Sequence, residues 1–166
     1  MPGDCAHPSP EVIRHAVRQA ITTHGWMTTA VPGDELHPNA EFAYTTGLRT
    51  SRAHPELVIA GLPGKTAHEL ITAAVRQIDA GVRLEHGGEY GGIAEGLRIR
   101  TQLVTSQNCI VTFGVTRDWY GDDVPRLQLV WPDRQGRFPG DPENEAHQWQ
   151  YLAGPMWHIH SAPGTP

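Results

Sequence analysis

The chain of 166 residues is short of several things, and each shortage removes a class of function. It has two cysteines, Cys5 and Cys109, which stand far apart and belong to no CxxC or Cys/His cluster. That excludes a disulfide scaffold and a zinc ribbon, and both thiols are expected to stay reduced in a cytoplasmic protein. Lysine is nearly missing: Lys65 stands alone among 13 basic residues, the others being arginine. Acidic residues outnumber basic ones, giving a formal net charge of −5. This argues against a general binder of nucleic acid or anionic membranes, which needs a basic face. No apolar run approaches bilayer-spanning length, and the first residues lack the apolar core of a signal peptide. A cytoplasmic protein without a membrane partner is expected.

Apolar residues make up 39% and charged residues 19%, enough for one packed domain at this length. Residues 1–152 read as a single α+β domain, and 153–166 as a tail rich in proline, glycine and histidine. Ser9 can cap a first helix, with Pro10 and Glu11 in its opening turn and Gly25 at its end. Its apolar stripe is Val12, Ile13, Ala16, Val17, Ala20 and Ile21, with Arg14, His15, Arg18 and Gln19 outside.

Strands are expected over 26–31, 42–48 and 57–62. Thr66 and Glu69 form a capping box for a second helix, which buries Leu70, Ile71, Ala74, Val75 and Ile78 and stops at Gly81. Segment 86–96 holds five glycines and reads as a mobile loop. From 97 to 105, Leu97, Ile99, Thr101 and Leu103 alternate as on a strand. Segment 108–121 stays open between a β-branched run and a helical turn around Trp119 and Tyr120. A strand over 127–131 then leads through the turn 132–136 to Phe138. The expected fold is a curved, mostly antiparallel sheet of about five or six strands with two main helices packed on it.

Several motifs fail on inspection. Gly64-Lys65-Thr66 follows a strand and opens a helix, but a phosphate-binding loop needs a glycine where Ile59 stands. What survives is the helix start, whose free N–H groups together with Lys65 suit an anion. His158 and His160, with His147, have the spacing of metal ligands, though two of them lie in the tail, where nothing holds them rigid. The glycine-rich segment contains no GxGxxG, and no serine sits in GxSxG. Asp118, Asp122 and Asp123 cluster beside two aromatics, a pattern that more often solubilises a loop than shuttles protons. Trp26, Tyr44, Trp119, Tyr120, Trp131, Trp149 and Trp157 fall largely at element ends, where such rings line pockets or fill corners of small cores.

Three segments together carry a resemblance. They are Gly25-Trp26 followed by 42–48; His54-Pro55-Glu56-Leu57 running into Gly61-Leu62-Pro63; and Leu127-Gln128-Leu129-Val130-Trp131-Pro132-Asp133 with Gly136, Phe138 and Pro139. In these the chain resembles the bacterial family known as domain of unknown function 4262, over roughly residues 13–152. The family commonly reads Phe-Pro-Trp where this chain has Phe138-Pro139-Gly140, and Gln-Pro where it has Gln150-Tyr151. Trp149 or Trp157 would have to replace that aromatic, or its role is lost. The resemblance implies no activity. Separately, residues 44–78 are similar to the opening of flavin-reductase-like split barrels, in which polar groups near such a strand and helix hold the flavin phosphate.

Three functions are carried forward. The first is a binding domain for a small anionic ligand, nucleotide- or flavin-like, with catalysis and cofactor unassigned. Its pocket would use Tyr44 and Trp131 to stack, Lys65 to meet charge, and Thr45, Gln128 and Asp133 to orient. The second is a protein–protein module, an inhibitor or adaptor, anchored by tryptophans of the C-terminal segment or acting as a homo-oligomer. The third is a metal-dependent enzyme using His147, His158 and His160.

Overall fold

The computed structural model describes residues 8–33, 35–36, 41–104, 113–121, 124–144 and 150. In chain order these form α1 (Pro10–His24), β1 (Met27–Val31), β2 (Phe42–Thr46), α2 (Leu48–Arg52), β3 (Glu56–Ala60), α3 (Gly64–Asp79), β4 (Glu89–Ala94), β5 (Leu97–Val104), α4 (Gly114–Tyr120) and β6 (Arg126–Val130). The expected α+β architecture is present as one open six-stranded sheet in the order β1-β2-β3-β6-β5-β4. Every neighbouring pair is antiparallel except β3 and β6, which run parallel at its centre.

The first helix forms as its sequence dictates. The Ser9 hydroxyl accepts the Val12 N–H, and Gly25 ends the helix at φ +83°, where its N–H reaches the Ile21 carbonyl. The burial differs from expectation. Val17 is the buried residue of the stripe, while Val12 is 57% and Ile13 37% exposed. This helix therefore rests on its neighbours by a narrow edge.

The second helix starts earlier than its capping box implies. Pro63 is the cap residue and its carbonyl accepts the Ala67 N–H, so Thr66 already lies inside the first turn. Proline needs no hydroxyl to begin a helix, because its ring fixes φ in the required range. The glycine-rich segment 86–96 also departs from the loop expected of it. Its residues Glu89–Ala94 form strand β4, paired with β5 through a bulge between Tyr90 and Ala94. The Gln77 amide on α3 donates to the Gly91 carbonyl and braces that strand from the helix side.

Residues paired across a sheet point to the same face. Ala43, Leu57, Ile59, Ile99, Leu127 and Leu129 face α3, whose Ala67, Ile71, Ala74 and Val75 complete the main core. Phe42, Tyr44, Val58 and Ala60 face the other way, against Phe113 and Val115 at the start of α4. Burying these side chains stabilises each face by roughly 25 cal/mol per Å² of apolar surface removed from water.

Candidate functional site

The structure assigns most of the six residues singled out above to definite bonds. Tyr44 is 2% exposed, and its hydroxyl accepts the Val115 N–H at 3.1 Å. Its ring stacks on Phe42 and meets Phe113 edge-on. Burial raises the phenol's pKa, with the Val115 N–H opposing. The Thr29 hydroxyl stands close enough to oppose it too, yet it meets no partner in hydrogen-bonding geometry. Thr45 lies on the opposite face of the same strand and binds Glu56. The Trp131 indole donates to the Ala60 carbonyl at 2.8 Å, and its ring packs against the α3-side core. Its backbone N–H and carbonyl are clasped by the Gln150 side-chain amide, as a neighbouring strand would hold them.

Asp133 organises its own turn. Desolvation pushes its carboxyl up, but the Arg137 N–H, the Arg137 guanidinium and the Gln135 N–H outweigh this and hold it below its usual value. Lys65 is exposed on the first turn of α3. Of the six, Tyr44 and Gln128 share a row on the second face of the sheet, and the other four lie apart from it.

That row is worth following. Thr29 pairs with Tyr44, Tyr44 with Val58, Val58 with Gln128, and Gln128 with Gln102, crossing five strands. Four of the five residues are polar. The Gln128 amide nitrogen donates to the Gln150 carbonyl, and its Oε1 has no partner among the described residues. Beside it, Gln102 is 6% exposed and its Nε2 has no partner among the described residues. An unpaired buried amide atom costs about 1–3 kcal/mol, so this row is tense for the fold.

A second polar centre lies at the end of β3. The Glu56 carboxylate is fully buried and accepts three hydrogen bonds: from the Thr45 hydroxyl at 2.5 Å, from the Gly47 N–H at 2.9 Å and from the Arg49 N–H at 3.1 Å. Thr45 in turn accepts the Leu57 N–H. Nearby, His54 is fixed as one neutral tautomer. Its Nδ1–H donates to the Pro55 carbonyl, so its Nε2 is the acceptor for the Leu84 N–H. Glu56 and His54 were read from the sequence only as parts of a motif. The signal that could have found them is a carboxylate placed at the start of an otherwise apolar strand.

Among the described residues, a cleft of about 300 Å³ lies between α1 and α4. Its apolar lining comes from Pro10, Ile13, Val17 and Val115, with the Trp119 ring beside them. Arg14 and Arg18, one turn apart on α1, form one wall, and Asp118 stands on the α4 side. None of these three charged side chains forms an ion pair with a described residue. The cleft is tied to the polar row, since Val115 lines it and bonds Tyr44. Sequence reading placed both arginines on the outer face of α1, where they are. What it missed is that α4 comes to stand opposite them. A hollow at the β4–β5 turn is lined mainly by glycine backbone, with Glu95, Leu97 and an arginine, Arg98, that already pairs with Glu89.

Among the described residues, no group of three His, Cys, Asp or Glu side chains is placed to hold a metal ion. His147, His158 and His160 lie outside the described residues, as do Asp122, Asp123, Cys5, Cys109, Trp149 and Trp157. No described helix is long and apolar enough to cross a membrane.

Residues 20–145 match the family model described as Domain of unknown function (DUF4262), and the chain belongs to that family. No curated protein and no solved structure matches it.

Proposed function

We propose that this member of the DUF4262 family binds a small anionic ligand with a flat or apolar body, in the cleft between α1 and α4. The observation that carries this reading is the pair of guanidiniums at Arg14 and Arg18. They are one helical turn apart, have no carboxylate partner among the described residues, and border an apolar floor next to an indole ring. Two arginines so spaced present parallel N–H donors to a carboxylate or phosphate, which is the geometry that guanidinium recognises best. At about 300 Å³ the cleft sits at the small end of ligand pockets, which run to roughly 1,000 Å³. That size suits a single-ring anion better than a flavin nucleotide.

Of the residues named from sequence, Tyr44 supports this site indirectly, by anchoring Val115 and so fixing how α4 faces α1. Gln128 belongs to the neighbouring row, and Thr45, Lys65, Trp131 and Asp133 play no part in the cleft.

The test is isothermal titration calorimetry of the full chain with 3-phenylpropanoate and with phenyl phosphate. Binding of either should weaken about tenfold or more when Arg14 and Arg18 are both changed to Gln, because a bidentate, charge-assisted contact is lost. Both residues are exposed, so the fold should be unaffected. Binding that ignores the double change would reject the site.

A further inference from the structure

The cleft is not uniformly basic. Asp118 lines it from α4, across from Arg14 and Arg18 on α1, yet no ion pair joins the two walls. Asp118 is itself exposed to solvent at the cleft. A purely anionic ligand would satisfy the arginines and set its apolar body against a carboxylate, an unfavourable neighbour once water is displaced. A ligand with both signs of charge close together at one end meets both walls. Its remaining body then lies on Ile13, Val17, Val115 and Trp119.

Resting on the anion-binding reading above, we infer that the ligand is amphoteric: a free α-amino acid with an aromatic or large aliphatic side chain. The carboxylate lies between the guanidiniums of Arg14 and Arg18, the ammonium group donates to Asp118, and the side chain covers the apolar floor. Ammonium and carboxylate on one carbon are the compact way to span two walls of opposite charge.

Three probes that share one ring separate the contributions: L-phenylalanine, 3-phenylpropanoate without the amine, and 2-phenylethylamine without the carboxylate. Calorimetry on the full chain should rank L-phenylalanine about fivefold tighter than 3-phenylpropanoate, the effect of one partly exposed ion pair. Asp118→Asn should erase that difference by weakening L-phenylalanine while 3-phenylpropanoate binds as well or better, with the circular dichroism spectrum unchanged. Arg14→Gln with Arg18→Gln should weaken both carboxylates.

If 3-phenylpropanoate binds as well as L-phenylalanine and still needs the arginines, the amphoteric ligand is overturned and the anion site stands. If neither carboxylate binds but phenyl phosphate does so through the arginines, the amphoteric ligand is overturned and the anion site stands. If none of these anions binds, or binding ignores the arginines, both readings fall together. If 2-phenylethylamine binds best, the cleft is a cation site and both are again overturned.

Discussion

Removing the Glu56 carboxylate is the sharpest test of how this fold is held. Glu56→Ala strips the acceptor from three donors at once: the Thr45 hydroxyl and the N–H groups of Gly47 and Arg49. The first two bonds are buried and the third is partly so. Each orphaned donor costs about 1–3 kcal/mol, and water can relieve part of the third, so a total near 3–5 kcal/mol is expected. Glu56→Gln should be far milder. Its Oε1 still serves Gly47 and Arg49, while its new amide can donate to Thr45, which has a lone pair to spare beside the Leu57 N–H. What disappears is the charge assistance, worth about 1–2 kcal/mol. Urea unfolding followed by tryptophan fluorescence reads both losses, provided the slope with denaturant stays constant. Thr45→Val supplies the coupling: combined with Glu56→Ala it should cost less than the sum of the two, because they share a bond. A loss below about 1 kcal/mol for Glu56→Ala, or equal losses for Ala and Gln, would refute this account.

Other outcomes follow from the same contacts. Gly47 sits at φ +118°, and a Cβ there would come within 2.5 Å of the Gly25 carbonyl oxygen and 2.8 Å of Trp26 Cα. Gly47→Ala should therefore cost about 3 kcal/mol or more, whereas Gly81→Ala, strained at φ +97° but meeting nothing within 4 Å, should cost about 1–2 in the same urea series. Burial lowers the His54 pKa below its ordinary 6.5, while the Nδ1–H bond to the Pro55 carbonyl opposes the shift. Between those two pKa values the unfolded chain binds the extra proton. Stability is thus intact above pH 6.5 and falls as pH drops below it, by at most about 1.4 kcal/mol per pH unit until the folded pKa is passed. His54→Gln should flatten that part of the stability–pH curve; an unchanged slope would acquit His54. Gln102→Met, which removes the unpartnered Nε2, should raise stability by about 1 kcal/mol in thermal unfolding. A decrease would mean that the amide is already satisfied in solution.

Local signals in the sequence were enough for elements whose structure is local. Ser9, Pro10 and Gly25 define α1, and the alternation from Leu97 defines β5, because caps and periodicity are properties of neighbouring residues. Strand β4 was hidden for the opposite reason. Glycine weakens a strand intrinsically, and only pairing with β5 and the Gln77 brace override that tendency. At α3 two valid start signals competed, and the rigid Pro63 prevailed over the hydroxyl of Thr66. The candidate site was hardest to see. Arg14 and Arg18 carry no mark that separates them from any exposed arginines until Tyr44 fastens α4 opposite them, and that bond spans 71 positions of sequence. The family-like segments read as one group because they converge. Gly47 backs onto Gly25 and Trp26, Glu56 holds Gly47, and Trp131 reaches Ala60.

The parallel pairing of β3 with β6 has a consequence for how the chain reaches this state. On either side of it lie two antiparallel ribbons, β1-β2-β3 and β6-β5-β4, each assembled from nearby sequence. The seam between them matches Glu56 with Arg126 and Val58 with Gln128, partners that a collapsing chain meets only after closing a long loop. Helix α3, which touches β1, β2, β3 and β4, spans that seam on one side. The two ribbons should thus be early, separable units, with α3 as the clasp that brings them edge to edge. Substitutions inside the ribbons would then slow folding, whereas those along the seam would mainly hasten unfolding.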